Sequence, residues 1–149
     1  MPKTKNLGDL VTRVYPVELQ ARSDGKTGII TGVPIVFNAH ADLGYFDEII
    51  DPRALDGADL SDVRLCLNHD TSFVYARSRR NNPRSTMRFN IQPDGMHIEA
   101  DLAIGKSARA ADLYTAIERG DISGMSFLFR IDAEEWRDLE TDHPTRIVT

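Results

Sequence analysis

Apolar and polar residues alternate with a period of two along most of this chain, and one segment instead carries a long helical repeat. The clearest alternation is "MHIEADLAI": Met96, Ile98, Ala100, Leu102 and Ile104 share one face, while His97, Glu99 and Asp101 take the other. With "MRFNI" before it and "QPDG" between, this predicts a β-hairpin. "TRVYPVELQAR" reads as a strand, with Val14, Pro16 and Glu18 opposite Tyr15, Val17 and Leu19, and its proline suggests a sheet edge. "SDGKTG" is a turn, because Asp24-Gly25 supplies a positive-φ residue, and "GIITGVPIVFN" is the β-rich run after it. "AHADLGYFDEIIDPRALDGADLSD" is irregular, with one short helical turn opening at Pro52. "VRLCLNHD" is the next strand, "ARSRRNNPRST" a loop, and "DISGMSFLFRID" a later strand.

The helix is "SARAADLYTAIERG". Ser107 is its predicted N-cap, Ala110, Leu113, Tyr114 and Ile117 form one apolar stripe, and Gly120 ends it. Residues 1–10 read as a frayed polar lead-in, and "AEEWRDLETDHPTR" as an acidic tail leading to a strand start at "RIVT". There are no internal repeats. The expectation is a single domain over residues 1–149, mainly antiparallel β with one principal helix.

Composition narrows the classes. The chain is 41% hydrophobic and 28% charged, as expected of a globular domain, and its net charge of -5 argues against a general nucleic-acid binder. Cys66 is the only cysteine, so neither a disulfide framework nor a cysteine-based zinc site is expected, which suits a reducing compartment. No apolar run approaches the roughly 20 residues that span a bilayer, and "MPKTKNLGDL" lacks the apolar core of a signal peptide. The expected location is the cytoplasm. Arg77, Arg79, Arg80, Arg84 and Arg88 form a basic run without an acid, read as a solvated loop because no aromatic residues interleave it.

The stretch "GDISGMSFLF" puts a hydroxyl into an apolar strand, and a serine becomes a nucleophile only beside a base. Of four histidines, His97 lies on the polar face of the hairpin, His40 sits in a loop beside Asp42, and His143 precedes Pro144 in the acidic tail. His69 ends the strand "LCLNHD", a placement that holds a ring still and leaves it open to substrate. The plainer reading of His69 is a capping residue bonded to a neighbouring carbonyl. Cys66 is a rival nucleophile, but strand alternation turns it away from His69, and a buried structural thiol is the better reading. On chemistry alone Ser123 and Ser126 are not separated. His40 and Asp42 are spaced like metal ligands, with no second histidine or carboxylate cluster near them in sequence, so metal chemistry is weakly supported.

The order "GVPIVFN", "YFDEIIDPRAL", "VRLCLNHD", "PDGMHIEADLAI", "DLYTAIERGDISGMSFLF" resembles the tailed-phage prohead proteases from about Val17 to Phe129, most specifically in "NHD" and "GMSF.F". That resemblance implies a serine endopeptidase with Ser126 as nucleophile and His69 as base. It also implies a fold similar to the herpesvirus assemblins, a compact antiparallel β-barrel with flanking helices. The implied work is cleavage of the scaffold protein, or of the scaffold-like N-terminal segment of the major capsid protein, and of the protease itself. That work takes place inside the immature capsid in the bacterial host. No cofactor, membrane or nucleic acid is implied, and a homo-oligomer is compatible with it.

Two departures stand out. An arginine-rich arm replaces the family's short "P-L-G-R" stretch, and the family pattern continues beyond "R.V" whereas this sequence ends at "TRIVT". The third member of the triad is therefore expected beyond Thr149, with "TRIVT" left as an unpaired strand. Within the chain only Asp132, Glu134, Asp142 and His143 could serve, and none matches a motif. Two other classes stay open: a non-catalytic capsid-assembly module with the protease fold, and a small β-barrel binding nucleic acid through the arginine arm.

Overall fold

A computed structural model describes residues 10–149. The expected frayed lead-in lies outside the described residues, except for Leu10, which begins a strand. The strands are β1 (Leu10–Val14), β2 (Gln20–Ser23), β3 (Gly28–Val36), β4 (Ala41–Asp42), β5 (Asp47–Ile50) and β6 (Asp62–Leu65). They continue with β7 (Ala76–Arg79), β8 (Met87–Gln92), β9 (Gly95–Leu102), β10 (Ser126–Arg130), β11 (Glu134–Arg137) and β12 (Thr145–Val148). One α-helix, α1 (Ala108–Glu118), and one 3-10 turn (Pro52–Leu55) complete the described elements.

The local signals that are strongest in the sequence form as expected. Gln92 pairs with Gly95 across the two-residue loop Pro93-Asp94, so β8 and β9 make the hairpin. Met96, Ile98, Ala100 and Leu102 are buried along β9. Ser107 Oγ accepts from the Ala110 N–H at 3.2 Å at the start of α1, the predicted stripe is buried, and Gly120 takes φ +81° just past the helix. In the β2–β3 turn the Asp24 carboxylate accepts from the N–H groups of Lys26 (2.9 Å) and Thr27 (2.7 Å), while Gly25 takes φ +90°.

The strands join into four sheets among the described residues: β1-β10, β6-β7, β2-β3-β9-β8, and β11-β12-β5-β4. Among the described residues the fold is mainly β with one α-helix, and no sheet closes on itself, so the expected barrel with several flanking helices is not found there. All pairings are antiparallel except β12 with β5. Two buried clusters result. One lies under β3, β8, β9 and β12, around Ile35, Met96, Ile98 and Val148. The other lies between α1 and the sheet, around Ile30, Leu102 and Leu113.

Four expectations are corrected. "TRVYPVELQAR" is two strands in different sheets, because Pro16 withholds an N–H and the chain turns there, with Val17 N–H bonded to the Tyr15 carbonyl at 2.8 Å. "VRLCLNHD" is a strand only to Leu65. The arginine-rich segment is partly strand: β7 pairs with β6, and Arg77 makes a bidentate contact with Asp62 at 2.8 and 2.6 Å. Finally "TRIVT" is not unpaired. β12 sits between β11 and β5, and Ile147 and Val148 are buried, because the tail folds back as β11 and covers it.

Candidate active site

Ser126 is the first residue of β10 and stands opposite Val14 of β1. Alternation along this two-stranded ribbon turns Phe127 and Phe129 toward the core and Ser126 and Leu128 outward. His69 comes from the β6–β7 connection. Asn68 and His69 both adopt left-handed backbone, φ 51° and 56°, and the Asp70 N–H bonds the Leu67 carbonyl at 3.0 Å. Positive φ at both central residues is the mark of a type I′ turn, and Asn and His are among the residues that tolerate it best. The base candidate therefore sits at a turn tip and not at a strand end. The connection is held at its base by the Tyr75 N–H on the Leu65 carbonyl (2.9 Å), and Phe73 packs edge-on against Tyr75 with the Arg109 guanidinium over its ring.

The two elements bring His69 Nε2 to 2.5 Å from Ser126 Oγ. They are 57 positions apart in sequence. Beside the pair opens a cleft of about 1060 Å³, whose walls include Leu60, Leu65, Leu67, Met125 and Leu128. That is at the top of the range that encloses a small ligand, and it can take a stretch of peptide with apolar side chains.

The sequence profile of the caudovirus prohead serine proteases matches residues 15–149. The chain belongs to that family. Its members are proteases of phage capsid maturation. No curated protein and no solved structure gives a match.

The other candidates of this prohead protease family member separate clearly. Ser123 is exposed, and its carbonyl accepts from the Leu19 N–H at 2.9 Å, so it ties the loop to the start of β2. Burial pushes the Cys66 thiol above its ordinary range, which keeps it protonated near neutrality and makes it a poor nucleophile. His97 Nε2 contacts Asp94 at 2.8 Å, within the β8–β9 hairpin. Among the described residues no group hydrogen-bonds the second ring nitrogen of His69. The adjacent Asp70 is turned to Ser72, accepting from its hydroxyl at 2.5 Å and its N–H at 2.9 Å, and the hydroxyl contact holds its carboxyl below the usual range. Glu134 contacts Trp136 Nε1 at 3.1 Å and Arg146 at 3.6 Å; Asp132 lines the cleft.

One residue that sequence reasoning missed supports the nucleophile strand. Glu48 on β5 is buried, 1% exposed, and held between two guanidiniums. Arg13 of β1 donates through Nε at 2.7 Å and a terminal nitrogen at 3.0 Å; Arg146 of β12 donates at 2.6 and 3.2 Å. Burial alone would raise its carboxyl, and the two arginines outweigh that and hold it below the usual range. Buried Tyr15 is pushed up to about 12 by desolvation, with the Glu48 charge adding to it. Arg13 is next to Val14, the partner of Ser126. The available signal was the period of two: Ile50 faces the core, so Glu48 must face it too.

A second cluster lies elsewhere. His143 Nε2 is 2.8 Å from Asp47 Oδ1 and 3.9 Å from Asp42 Oδ1, and His40 Nδ1 is 3.3 Å from Asp47 Oδ2. Sequence spacing offers His40 and Asp42 no further ligand cluster, and the β12–β5 pairing brings His143 to Asp42 and Asp47 from about a hundred residues away. The basic run is corrected likewise, since Arg77 pairs with Asp62 and Arg88 with Glu99 and Asp101.

Proposed function

We propose that this chain is a serine endopeptidase of prohead maturation in which Ser126 is the nucleophile and His69 the general base. The observation that carries this reading is the 2.5 Å approach of His69 Nε2 to Ser126 Oγ, between residues from separate elements, at the edge of an apolar cleft. His69 takes the hydroxyl proton as Oγ attacks the scissile carbonyl, then passes it to the leaving amine; water repeats the cycle on the acyl-enzyme. The proposed substrates are the scaffold protein or the scaffold-like N-terminal segment of the major capsid protein, and the protease itself. The proposed setting is the inside of the immature capsid in the bacterial host. Family membership supports that class of substrate, and the apolar walls of the cleft fit an extended peptide.

The test is incubation of the protease with its capsid and scaffold proteins, read by mass spectrometry, alongside labelling with a fluorophosphonate. Ser126→Ala is expected to lose both cleavage and labelling with unchanged thermal stability, whereas Ser123→Ala and Cys66→Ala keep both. Labelling of a serine other than Ser126 would overturn the assignment. A folded wild-type chain that neither labels nor cleaves would favour the non-catalytic assembly module.

A further inference from the structure

We propose that Asp42, Asp47 and His143 bind one divalent transition-metal ion, zinc by preference, which ties the β4–β5 hairpin to the C-terminal strand. The three side chains come from two regions about a hundred residues apart and offer one ligand atom each, all within 4.8 Å of one another. A tetrahedral zinc with ligands at about 2.1 Å spaces them at about 3.4 Å. The observed 2.8 Å and 3.9 Å from His143 Nε2 to the two carboxylates straddle that value, and the ligand atoms all lie within 4.8 Å of one another, so modest side-chain shifts bring them onto one ion. An imidazole nitrogen with carboxylate oxygens suits zinc or cobalt better than calcium or magnesium, which prefer six or more oxygens or an octahedral oxygen shell. The outer contacts also fit. His40 Nδ1 lies at 3.3 Å from Asp47 Oδ2, leaving Oδ1 for the ion, and the Gly44 N–H donates to Asp42 Oδ1 at 2.9 Å.

The competing account is a surface ion pair in which Asp47 simply bonds two histidines. Asp42 separates the two. Its side chain is 74% exposed and its 3.9 Å approach to His143 is too long for a hydrogen bond, so an ion pair uses only its charge at a distance, whereas a metal takes its oxygen as a ligand. The bound ion would fix Asp47, next to Glu48, and so stiffen the seam that the Arg13–Glu48–Arg146 contacts close.

The experiment is calorimetric titration of the chelator-treated chain with zinc chloride in a non-chelating buffer, with cobalt(II) absorption as a second probe of nitrogen and oxygen ligation. One equivalent is expected to bind, and to raise the melting temperature. Asp42→Asn should weaken binding at least tenfold while leaving the metal-free melting temperature unchanged. His143→Ala should weaken it at least as much, and His97→Ala, in the β8–β9 hairpin, should not alter it. Absence of saturable binding, or zinc binding by Asp42→Asn equal to the parent's, overturns the proposal, and neither readout depends on proteolysis.

Discussion

The two halves of the Ser126–His69 pair are held in opposite ways. Ser126 starts a strand whose inner face carries Phe127 and Phe129 into the core, and whose partner strand is fastened by Arg13 to the buried Glu48. His69 stands at the tip of a tight turn, with two consecutive residues in left-handed backbone and no described group on its second nitrogen. Side chains on strands hold position through packing, and turn tips through backbone geometry alone. The difference assigns each half its own weak point: the serine depends on a buried charge cluster, the histidine on the conformational tolerance of Asn68 and His69.

The sharpest way to break this comparison is His69→Gly. Glycine adopts positive φ without a Cβ penalty, so the turn should be kept and the protein stabilised by a few tenths to about 1 kcal/mol. Cleavage should fall by about 10⁶ in kcat, the scale of removing the histidine from a serine-protease triad. A gain in urea midpoint together with loss of cleavage would mark a residue kept in strained backbone for its chemistry. Unchanged turnover in this variant would sink the base assignment.

Glu48→Ala attacks the other half. It strands two mostly buried guanidiniums, 13% and 17% exposed, and removing one partner of a buried ion cluster costs about 3–5 kcal/mol. The loss should appear as a lower urea midpoint, and fluorophosphonate labelling of Ser126 should slow in whatever fraction remains folded. Glu48→Gln keeps the shape and part of the hydrogen bonding and should cost less. If Glu48→Ala melts within about 0.5 kcal/mol of the parent, the cluster is not what secures β1.

What the sequence made legible follows the same division between local and distant causes. The α1 stripe, its Ser107 cap, the Pro93-Asp94 hairpin and the turn opening at Pro52 were readable because each is decided within a few residues. The place of β12 was not, because its parallel pairing with β5 joins residues about a hundred positions apart and leaves no local pattern. β7 was hidden by its charge: Arg77 is tolerated in a strand because Asp62, diagonally across the ladder, takes its guanidinium. His69 stood out among the histidines by its place at the end of a predicted strand, while Ser126 needed the resemblance to the prohead proteases, since the residues alone left Ser123 and Ser126 level. The strand assigned to "NHD" failed because alternation of Leu65 and Leu67 continues into a turn that only backbone geometry reveals.

The smallest expected effect concerns Asn68, and it isolates the turn from the chemistry. Asn68 is exposed, lines the rim of the cleft, and has φ 51°. Asparagine reaches that region more readily than other residues with a Cβ, so Asn68→Ala should cost about 1 kcal/mol through backbone conformation. Asn68→Gly permits the same φ and should sit within a few tenths of a kcal/mol of the parent, the gain in turn tolerance offset by a more flexible unfolded chain. The pair becomes informative when turnover is measured beside stability. If the turn places His69, Asn68→Ala should lower kcat several-fold at temperatures where it is fully folded, because a ring displaced by about 1 Å no longer reaches Ser126 Oγ in line. Asn68→Gly should recover most of that loss. Equal turnover in both variants would show that His69 finds Ser126 without help from the turn, with its position set by contacts to the bound peptide instead.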